Sequence, residues 1–280
     1  MAASWPAPAK INLFLRITGQ REDGYHELQT VYQLLDYCDE LSFAVTGDPD
    51  IRHTQPVAGV DSKNELCLRA ARLLQKVGNI SRGVEITLNK RIPMGGGFGG
   101  GSSNAATTLL ALNRLWGVDL GQFELAQLAL QLGADVPVFL GGQTAWAEGV
   151  GEELTPIEVK KSWYVVICPN VRVSTAEIFS RPELTRDSPP ITIRAFREGW
   201  SKNDLETIVR RLYPQVDQAL QWLQSFGNPR MTGSGAGVFL SVASREQAEN
   251  VLDNCPSDLT GFVAAGLNQS PLVGRLAQEN

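Results

Sequence analysis

The chain has 280 residues, of which 43% are hydrophobic and 20% charged, and its net charge of −5 gives no sign of a nucleic-acid-binding face. The first ten residues show no basic stretch followed by an apolar one, and no apolar run reaches roughly 18 residues, so we expect neither a signal peptide nor a membrane helix. The four cysteines lie far apart without a C-x-x-C pair, which favours reduced thiols and a cytoplasmic protein.

The first half of the chain mixes strand and helix patterns. Alternating apolar residues predict strands at residues 9–17, 31–35, 41–45 and 84–88. A one-sided apolar pattern predicts a helix at residues 66–77. A second helix is expected at residues 105–116, closed by Gly117, and a third from an Asp119 cap to Gly133.

The second half continues the mixture. Strands are expected at residues 163–168, 238–242 and 262–267, and helices at 205–223, interrupted by Pro214, and at 245–252. Because strands and helices are intermixed without strict alternation, the pattern favours an α+β fold. The sequence is most consistent with a domain boundary near residues 152–161, so we expect an N-terminal domain at residues 1–155 and a C-terminal domain at 156–280.

The most informative stretch, residues 93–103, reads P-M-G-G-G-F-G-G-G-S-S. Such a density of glycine indicates a loop that needs positive φ angles and close backbone approach to a ligand. Ser102, Ser103 and Asn104 are residue types that cap helices, and a helix pattern follows them. A glycine loop before a helix N-terminus predicts an anion site. A flexible linker is the alternative, although linkers spread their glycine over longer stretches.

Two common phosphate loops fit this stretch poorly. No Lys follows the glycines, which excludes the P-loop pattern G-x-x-x-x-G-K-[ST]. The dinucleotide pattern G-x-G-x-x-G matches at Gly95, Gly97 and Gly100, but a match is nearly inevitable in so glycine-rich a run. Asp119 stands near the distance expected of the ribose-binding acid, yet it precedes a helix instead of ending a strand.

Three motifs in order resemble those of the GHMP kinases. They are P-A-K-I-N-L at residues 8–13, the glycine stretch at 93–103 and T-G-S-G-A-G at 232–237. The resemblance implies a two-domain α+β GHMP kinase fold with the active site in the cleft between the domains. The stretches G-Y-H-E-L and L-G-A-D-V-P-V-F are similar to the branch of this superfamily that acts on a CDP-linked methylerythritol. That branch phosphorylates the 2-hydroxyl of its acceptor with ATP, in the non-mevalonate pathway to isoprenoid precursors.

The resemblance assigns two catalytic residues. Asp135 lies in an otherwise apolar run and, from the residues alone, is either a helix cap or a functional group. In the family the matching Asp is the general base for the attacking hydroxyl. Lys10 stands in a strand, where a lone Lys usually points to solvent. The family resemblance instead places it in the active site, where it would keep Asp135 ionised and stabilise phosphoryl charge.

The resemblance also implies binding residues. Tyr25 and Phe179 would stack on the two faces of the cytosine, and His26 would hydrogen-bond it. The remaining acceptor residues would be Asn12 and the turn residues Gly233, Ser234 and Gly235. The expected ATP-binding residues are Pro93, Met94, Gly95, Gly96, Gly97, Phe98, Gly99, Gly100, Gly101, Ser102, Ser103, Asn64 and Lys90.

Cofactor and partners follow from the same resemblance. ATP with Mg²⁺ is expected, yet no acidic residue stands out as a metal ligand, which leaves Ser103 as the one candidate. The partner is a small CDP-linked polyol, with no nucleic acid and no membrane, and the sequence does not give the oligomeric state. Phe98 replaces a smaller aliphatic residue of the family motif, so the loop is expected to pack differently. The alternatives are a GHMP kinase for another small alcohol and a non-catalytic nucleotide-binding protein.

Overall fold

The computed structural model describes residues 3–278, and its strands join into one mixed sheet of ten strands. The central order is β3-β4-β2-β10-β7-β9-β8, while β1 and β5 pair with β2, and β6 pairs with β5. The strands are β1 Trp5–Gln20, β2 His26–Thr46, β3 Ile51–His53, β4 Gly83–Asn89, β5 Ala145–Glu148, β6 Glu153–Pro156, β7 Trp163–Cys168, β8 Arg230–Met231, β9 Val238–Val242 and β10 Thr260–Leu267.

Helices cover the sheet in both halves of the chain. They are α1 Leu66–Val77, α2 Gly100–Leu115, α3 Gln122–Leu132, α4 Val136–Gly141, α5 Thr175–Ser180, α6 Ile193–Arg197, α7 Glu206–Leu212, α8 Pro214–Gln224, α9 Arg245–Asp253 and α10 Pro271–Ala277. None of these helices, within residues 3–278, has the length and apolar character that crossing a membrane requires.

Several predicted elements are confirmed. Helix α1, strand β7 and the break in the helix at Pro214 lie where the patterns placed them. The two strands expected at 31–35 and 41–45 are instead one continuous strand, β2. The stretch between them contains polar residues, among them Asp39. The Asp39 side chain is fully buried and accepts hydrogen bonds from the backbone N–H groups of Arg91 and Ile92, each at 2.7 Å. A satisfied carboxylate therefore lets the strand continue.

Two predicted helix starts are wrong. Helix α2 begins at Gly100 with Gly99 as its N-cap, so Ser102, Ser103 and Asn104 lie inside the helix. Helix α3 begins after Gly121, whose N–H donates to Glu124, whereas Asp119 lies in the preceding loop. In both cases a glycine takes the cap position that the sequence assigned to a polar side chain.

Strand β10 joins the two halves of the molecule. Its residues Thr260–Ala265 pair with β7, and Gly266 and Leu267 pair with Leu35 and Leu34 of β2. One hydrophobic core lies between β2, β4 and helices α1–α3, and a second lies between β7, β9 and helices α7–α9. The predicted domain boundary after residue 155 falls within the short strand β6.

Candidate active site

Two cavities meet at the glycine-rich loop. The larger, about 650 Å³, is lined from both sides of the predicted domain boundary, by Lys10 and Asp135 on one side and by Phe179 and Ser234 on the other. The smaller, about 250 Å³, is lined by most of residues 93–102 with Leu66 and Lys90. Gly97 and Gly99 line both cavities. A ligand in one cavity would therefore lie next to a ligand in the other.

The glycine loop has a backbone that side chains would obstruct. Gly95, Gly97 and Gly99 have φ angles of 78°, 78° and 69°, in the left-handed region that favours glycine. A Cβ atom on Gly97 would lie 2.9 Å from the carbonyl oxygen of Thr232. Helix α2 starts directly after Gly99, and the first N–H groups of a helix have no partner within it. The loop therefore presents free donors and the positive end of a helix dipole to the smaller cavity.

The turn at residues 232–237 packs directly against the glycine loop. The N–H groups of Ala236 and Gly237 donate to the carbonyl oxygens of Gly95 and Gly96, at 3.3 and 3.1 Å. The turn is also held from the other side, since Asn203 Nδ2 donates to the carbonyl oxygen of Gly233 at 2.8 Å. Two of the three sequence motifs are thus bonded through their backbones.

Phe98 anchors the glycine loop in the core. Its side chain is 1% exposed and meets the ring of Phe262 edge-on, with 5.7 Å between ring centroids. Gly96 and Gly237 leave room for this ring, because a Cβ at either would lie within 2.4 Å of it. The backbone carbonyl oxygen of Phe98 accepts a hydrogen bond from the N–H of Lys10 at 3.0 Å. The larger side chain is therefore buried in the core behind the loop.

Lys10 and Asp135 form an ion pair in the larger cavity. Lys10 Nζ lies 3.2 Å from Asp135 Oδ2 and donates to Asn12 Oδ1 at 2.8 Å. The lysine is 3% exposed, whereas a lysine in a strand usually points to solvent. The Asp135 side chain is 35% exposed. Asp135 stands at the N-cap position of α4 but makes no capping hydrogen bond. Its carboxylate is therefore available to a ligand.

Tyr32 contacts the other oxygen of the same carboxylate. Its hydroxyl donates to Asp135 Oδ1 at 3.2 Å, and its ring lies 5.1 Å from Lys10 Nζ. Tyr32 pairs with Asn12 across the β1–β2 ladder, which puts both on one face of the hairpin. Burial, and then the negative charge of Asp135, raises the pKa of Tyr32 well above its usual range. The phenol therefore stays protonated and acts as a donor.

Asn12 links the ion pair to the third motif. Its backbone N–H donates to Thr232 Oγ1 at 2.8 Å, and its Nδ2 donates to Thr30 Oγ1 at 2.9 Å. Gly233 lies nearby, since a Cβ there would be 3.4 Å from Asn12 Oδ1. Ser234 shares a 2.7 Å hydrogen bond with Thr175. Gly233 and Ser234 line the larger cavity, while Gly235 packs behind them against Met231 and Val209.

Three residues with aromatic rings, Tyr25, His26 and Phe179, line the larger cavity. Tyr25 is 65% exposed, and the ring centroids of His26 and Phe179 lie 4.9 Å apart. Arg186 donates from Nε to His26 Nε2 at 3.0 Å. Burial, and then the charge of Arg186, lowers the pKa of His26 below its usual value of 6.5. Tyr25, His26 and Phe179 therefore line one cavity, with the imidazole neutral near pH 7, and their contact with a base stays a prediction.

Two residues outside the glycine loop, Lys90 and Asn64, are also predicted to bind ATP, and only one of them lines a cavity. Lys90 lines the smaller cavity, but its Nζ is bonded to the buried Asp39 at 2.7 Å and to the carbonyl oxygen of Ile92 at 2.6 Å. Asn64 is exposed and lies outside the lining of both cavities. Lys90 has a structural partner already, and the role of Asn64 stays a prediction.

The hydroxyl groups at the start of α2 face different surroundings. Ser102 lines the smaller cavity, as do Pro93 and the 46% exposed Met94. Ser103 and Gly96 are not among the residues that line this cavity. Ser103 is fully buried, and its Oγ has no hydrogen-bond partner among the described residues. An unpartnered buried hydroxyl is uncommon and is consistent with a ligand contact at this loop.

One further group of possible metal ligands lies elsewhere. Ligand atoms of His53, Glu65 and Cys67 lie within 4.8 Å of one another. His53 Nε2 and Glu65 Oε2 are already 3.0 Å apart, and Glu65 caps α1 by accepting from the N–H of Leu68. The contacts within this group support a structural role at the start of α1.

Three residues of the site escaped sequence reasoning. Tyr32 stands in an apolar strand pattern, Arg186 in a loop rich in proline and serine, and Asn203 before a helix. Only the β1–β2 register could have pointed to Tyr32, because it lies opposite Asn12. Arg186 and Asn203 reach the site through loops, for which the sequence carries no periodic signal.

Two family models match the chain: GHMP kinases N terminal domain at residues 65–143 and GHMP kinases C terminal at residues 184–260. The chain belongs to the GHMP kinases. A GHMP kinase is an ATP-dependent small-molecule kinase, and the motifs' prediction of this family is confirmed.

Relatives within this family are similar over nearly the whole chain. The 4-diphosphocytidyl-2-C-methyl-D-erythritol kinase of Alkalilimnicola ehrlichii is 56% identical over 275 residues, covering 98% of this chain and 94% of the relative. The kinase of the same name from Nitrosococcus oceani is 53% identical over 269 residues, covering 96% of each. This GHMP kinase therefore shares a family with both.

Solved structures agree with the predicted two-domain fold. A crystal structure of 4-(cytidine 5'-diphospho)-2C-methyl-D-erythritol kinase matches with a TM-score of 0.83 at 33% identity, covering 94% of this chain and 99% of the other. A mevalonate kinase matches with a TM-score of 0.69 at 15% identity, over 96% of this chain and 100% of the other, which shows a shared fold alone. The expected α+β GHMP kinase fold is confirmed.

Proposed function

We propose that this GHMP kinase phosphorylates the 2-hydroxyl of 4-diphosphocytidyl-2-C-methyl-D-erythritol, giving the 2-phosphate and ADP in the non-mevalonate isoprenoid pathway. The names and similarity of its relatives support this acceptor. The observation that carries the chemistry is the Lys10–Asp135 ion pair beside the glycines that line both cavities. A phosphoryl group held at Gly97 and Gly99 would lie next to an acceptor hydroxyl at Asp135.

Asp135 acts in this proposal as the general base. Its partly exposed carboxylate would take the proton of the 2-hydroxyl as the hydroxyl oxygen attacks the γ-phosphorus of ATP and ADP leaves. Lys10 places a buried positive charge beside the reacting groups, where it offsets charge on the transferring phosphoryl group. Tyr32 holds the second carboxylate oxygen, so the base is fixed in orientation.

We assign ATP to the smaller cavity and the cytidylated acceptor to the larger one. The residues proposed for ATP are those of positions 93–103, with Lys90 and Asn64. The residues proposed for the acceptor are Asn12, Tyr25, His26, Phe179, Gly233, Ser234 and Gly235. The supporting observations are the free helix N-terminus at Gly99 and the aromatic rings that line the larger cavity. Residues 1–155 form the ATP-binding domain in this proposal, and residues 156–280 form the C-terminal domain.

Mg²⁺ enters the proposal with ATP, whose phosphates would carry it. Lining residues of the smaller cavity include no carboxylate in the described part of the chain, and Mg²⁺ commonly keeps phosphate and water ligands. The protein oxygen that we assign to the ion is the Oγ of Ser103, a buried atom without a hydrogen-bond partner among residues 3–278. When bound, the ion would neutralise phosphate charge. We place the reaction in the cytoplasm, since the four cysteines are free thiols.

An ADP-release assay with a panel of acceptors tests this proposal. We expect release to depend on the CDP-linked methylerythritol, with no comparable rate for mevalonate, homoserine or water. Release with mevalonate or homoserine instead would assign another alcohol to the same site. Nucleotide binding without release in any arm would make the chain a non-catalytic nucleotide-binding protein.

A further inference from the structure

Arg186 is fixed in place beside the larger cavity by backbone oxygens. Its Nη1 donates to the carbonyl oxygen of Leu184 at 3.0 Å, and its Nη2 donates to those of Phe179 and Arg181 at 2.9 and 2.8 Å. Its Nε donates to His26 Nε2 at 3.0 Å. The guanidinium therefore has a defined position before any ligand binds.

This contact determines which imidazole nitrogen carries the proton. A guanidinium has donors only and stays charged, so the nitrogen that faces it has to accept. His26 Nε2 is therefore unprotonated, and the neutral ring carries its proton on Nδ1. Burial and the charge of Arg186 both lower the pKa of His26, which agrees with a neutral ring.

The protonated nitrogen is left for a ligand. Among residues 3–278, no hydrogen-bond partner is found for His26 Nδ1, and His26 lines the larger cavity. Phe179 lies against its ring, and the exposed Tyr25 precedes it in the chain. A planar ring entering between these aromatic side chains would meet a single N–H donor at its edge.

We propose that Arg186 fixes His26 as an N–H donor toward the cavity, and that the preference of this cavity for cytosine over uracil depends on Arg186 for that reason. The base identity rests on the proposed function, whereas the tautomer rests on the Arg186 contact alone. Arg186 is thus a positioning residue that acts on specificity through His26.

The discrimination follows from the edges of the two bases. Cytosine N3 is unprotonated and accepts a hydrogen bond, whereas uracil N3 carries a proton and would face the His26 N–H with a second donor. An unmatched buried donor costs about 1–3 kcal/mol, which is roughly 5- to 150-fold in specificity. The other neutral tautomer, with its proton on Nε2, is disfavoured because it would point an N–H at the guanidinium.

The tautomer can be read directly from the ¹⁵N spectrum of the wild-type protein. The chain has two histidines, His26 and His53, so a His53→Gln variant assigns both rings. We expect the shift pattern of a neutral ring protonated on Nδ1 for His26. A ring protonated on Nε2, or a charged ring at neutral pH, would overturn the proposal whatever the enzyme's substrate is.

The specificity is tested with Arg186→Met, and Arg211→Met serves as the matched control. Arg211 is bound to Glu183 on the surface, away from the larger cavity. In Arg186→Met we expect mixed His26 tautomers, and the ratio of kcat/KM for the CDP-linked acceptor to that for its UDP-linked counterpart should fall about tenfold or more. The KM for ATP should stay unchanged, and Arg211→Met should match wild type.

The outcomes separate the two ideas. An unchanged acceptor ratio in a folded Arg186→Met protein would overturn the specificity claim, as would a wild type that accepts both nucleotides equally. If wild type phosphorylates neither acceptor, the proposed function fails, while the ¹⁵N spectrum still decides the tautomer.

Discussion

The carboxylate of Asp135 is held at both oxygens, by Lys10 Nζ at 3.2 Å from Oδ2 and by the Tyr32 hydroxyl at 3.2 Å from Oδ1. Lys10 and Tyr32 come from the paired strands β1 and β2, whereas Asp135 precedes α4. The hairpin therefore fixes the orientation of a group that the chain supplies a hundred residues later.

Replacing Asp135 by Asn should remove the base with little change in shape. We expect kcat to fall about 10²- to 10⁴-fold while the Kd for ATP stays within about threefold, because the amide cannot take the proton. Rapid-quench turnover and ATP titration measure the two quantities. Asp119→Asn makes the same chemical change in an exposed loop and should leave both unchanged. Near-normal turnover of Asp135→Asn would show that the base lies elsewhere.

Tyr32→Phe removes one hydrogen bond and keeps the ring under Lys10. Hydrogen bonds to charged groups contribute about 1.5–3 kcal/mol, so we expect kcat to fall about tenfold with the KM for ATP unchanged. Steady-state kinetics test this against Tyr37→Phe, which loses a hydroxyl bonded to the carbonyl oxygen of Arg91 at 3.3 Å. Equal effects of the two variants would mean that the contact with Asp135 has no role in turnover.

Tyr25→Ala should affect the acceptor alone. Stacking on an aromatic side chain contributes about 1–3 kcal/mol per base, so the KM for the cytidylated acceptor should rise about tenfold or more. The KM for ATP should not change. Phe123→Ala, a truncation of a 74% exposed aromatic residue on α3, is the control. A parallel rise in both KM values for Tyr25→Ala would contradict the stacking assignment.

Gly97→Ala should weaken the binding of ATP. A side chain at a φ of 78° is strained by roughly 1–2 kcal/mol, and the new Cβ would meet the Thr232 carbonyl oxygen at 2.9 Å. We expect the Kd for ATP to rise about tenfold in calorimetric titration. Gly274→Ala lies in α10, outside both cavities, where the added Cβ would meet no atom within 4 Å, and this variant should bind ATP normally.

The lowered pKa of His26 predicts how acceptor binding depends on pH. The neutral ring is the one that accepts from Arg186, so binding should be constant at neutral pH. As the pH falls below the usual histidine value of 6.5 and through the lowered pKa, the ring gains a proton and the KM for the acceptor should rise. In Arg186→Met one cause of the lowered pKa is gone, so the His26 ring should gain its proton at a higher pH than in wild type, which its ¹⁵N shifts measure. A KM that already rises above pH 7 in wild type would contradict this.

Much of the fold could be predicted from the sequence, because periodicity identifies elements such as α1 and β7 directly. The start of α2 could not be predicted, because its N-cap is a glycine in the left-handed conformation and offers no polar side chain to recognise. Lys10 shows the limit for the site, because strand alternation does not reveal which face is buried. The motif resemblance placed Lys10 near Asp135, but Arg186 depends on the path of a loop that no local pattern encodes.

Strand β10 also sets the order in which the protein can be completed on the ribosome. Its residues Thr260–Leu267 fill the gap between β2 and β7, and they are synthesised after both of these strands. Until they emerge, the inner edges of β2 and β7 have unpaired backbone groups of the kind that template aggregation. The two halves can thus begin to fold separately, but the sheet that joins them is completed only when β10 has emerged.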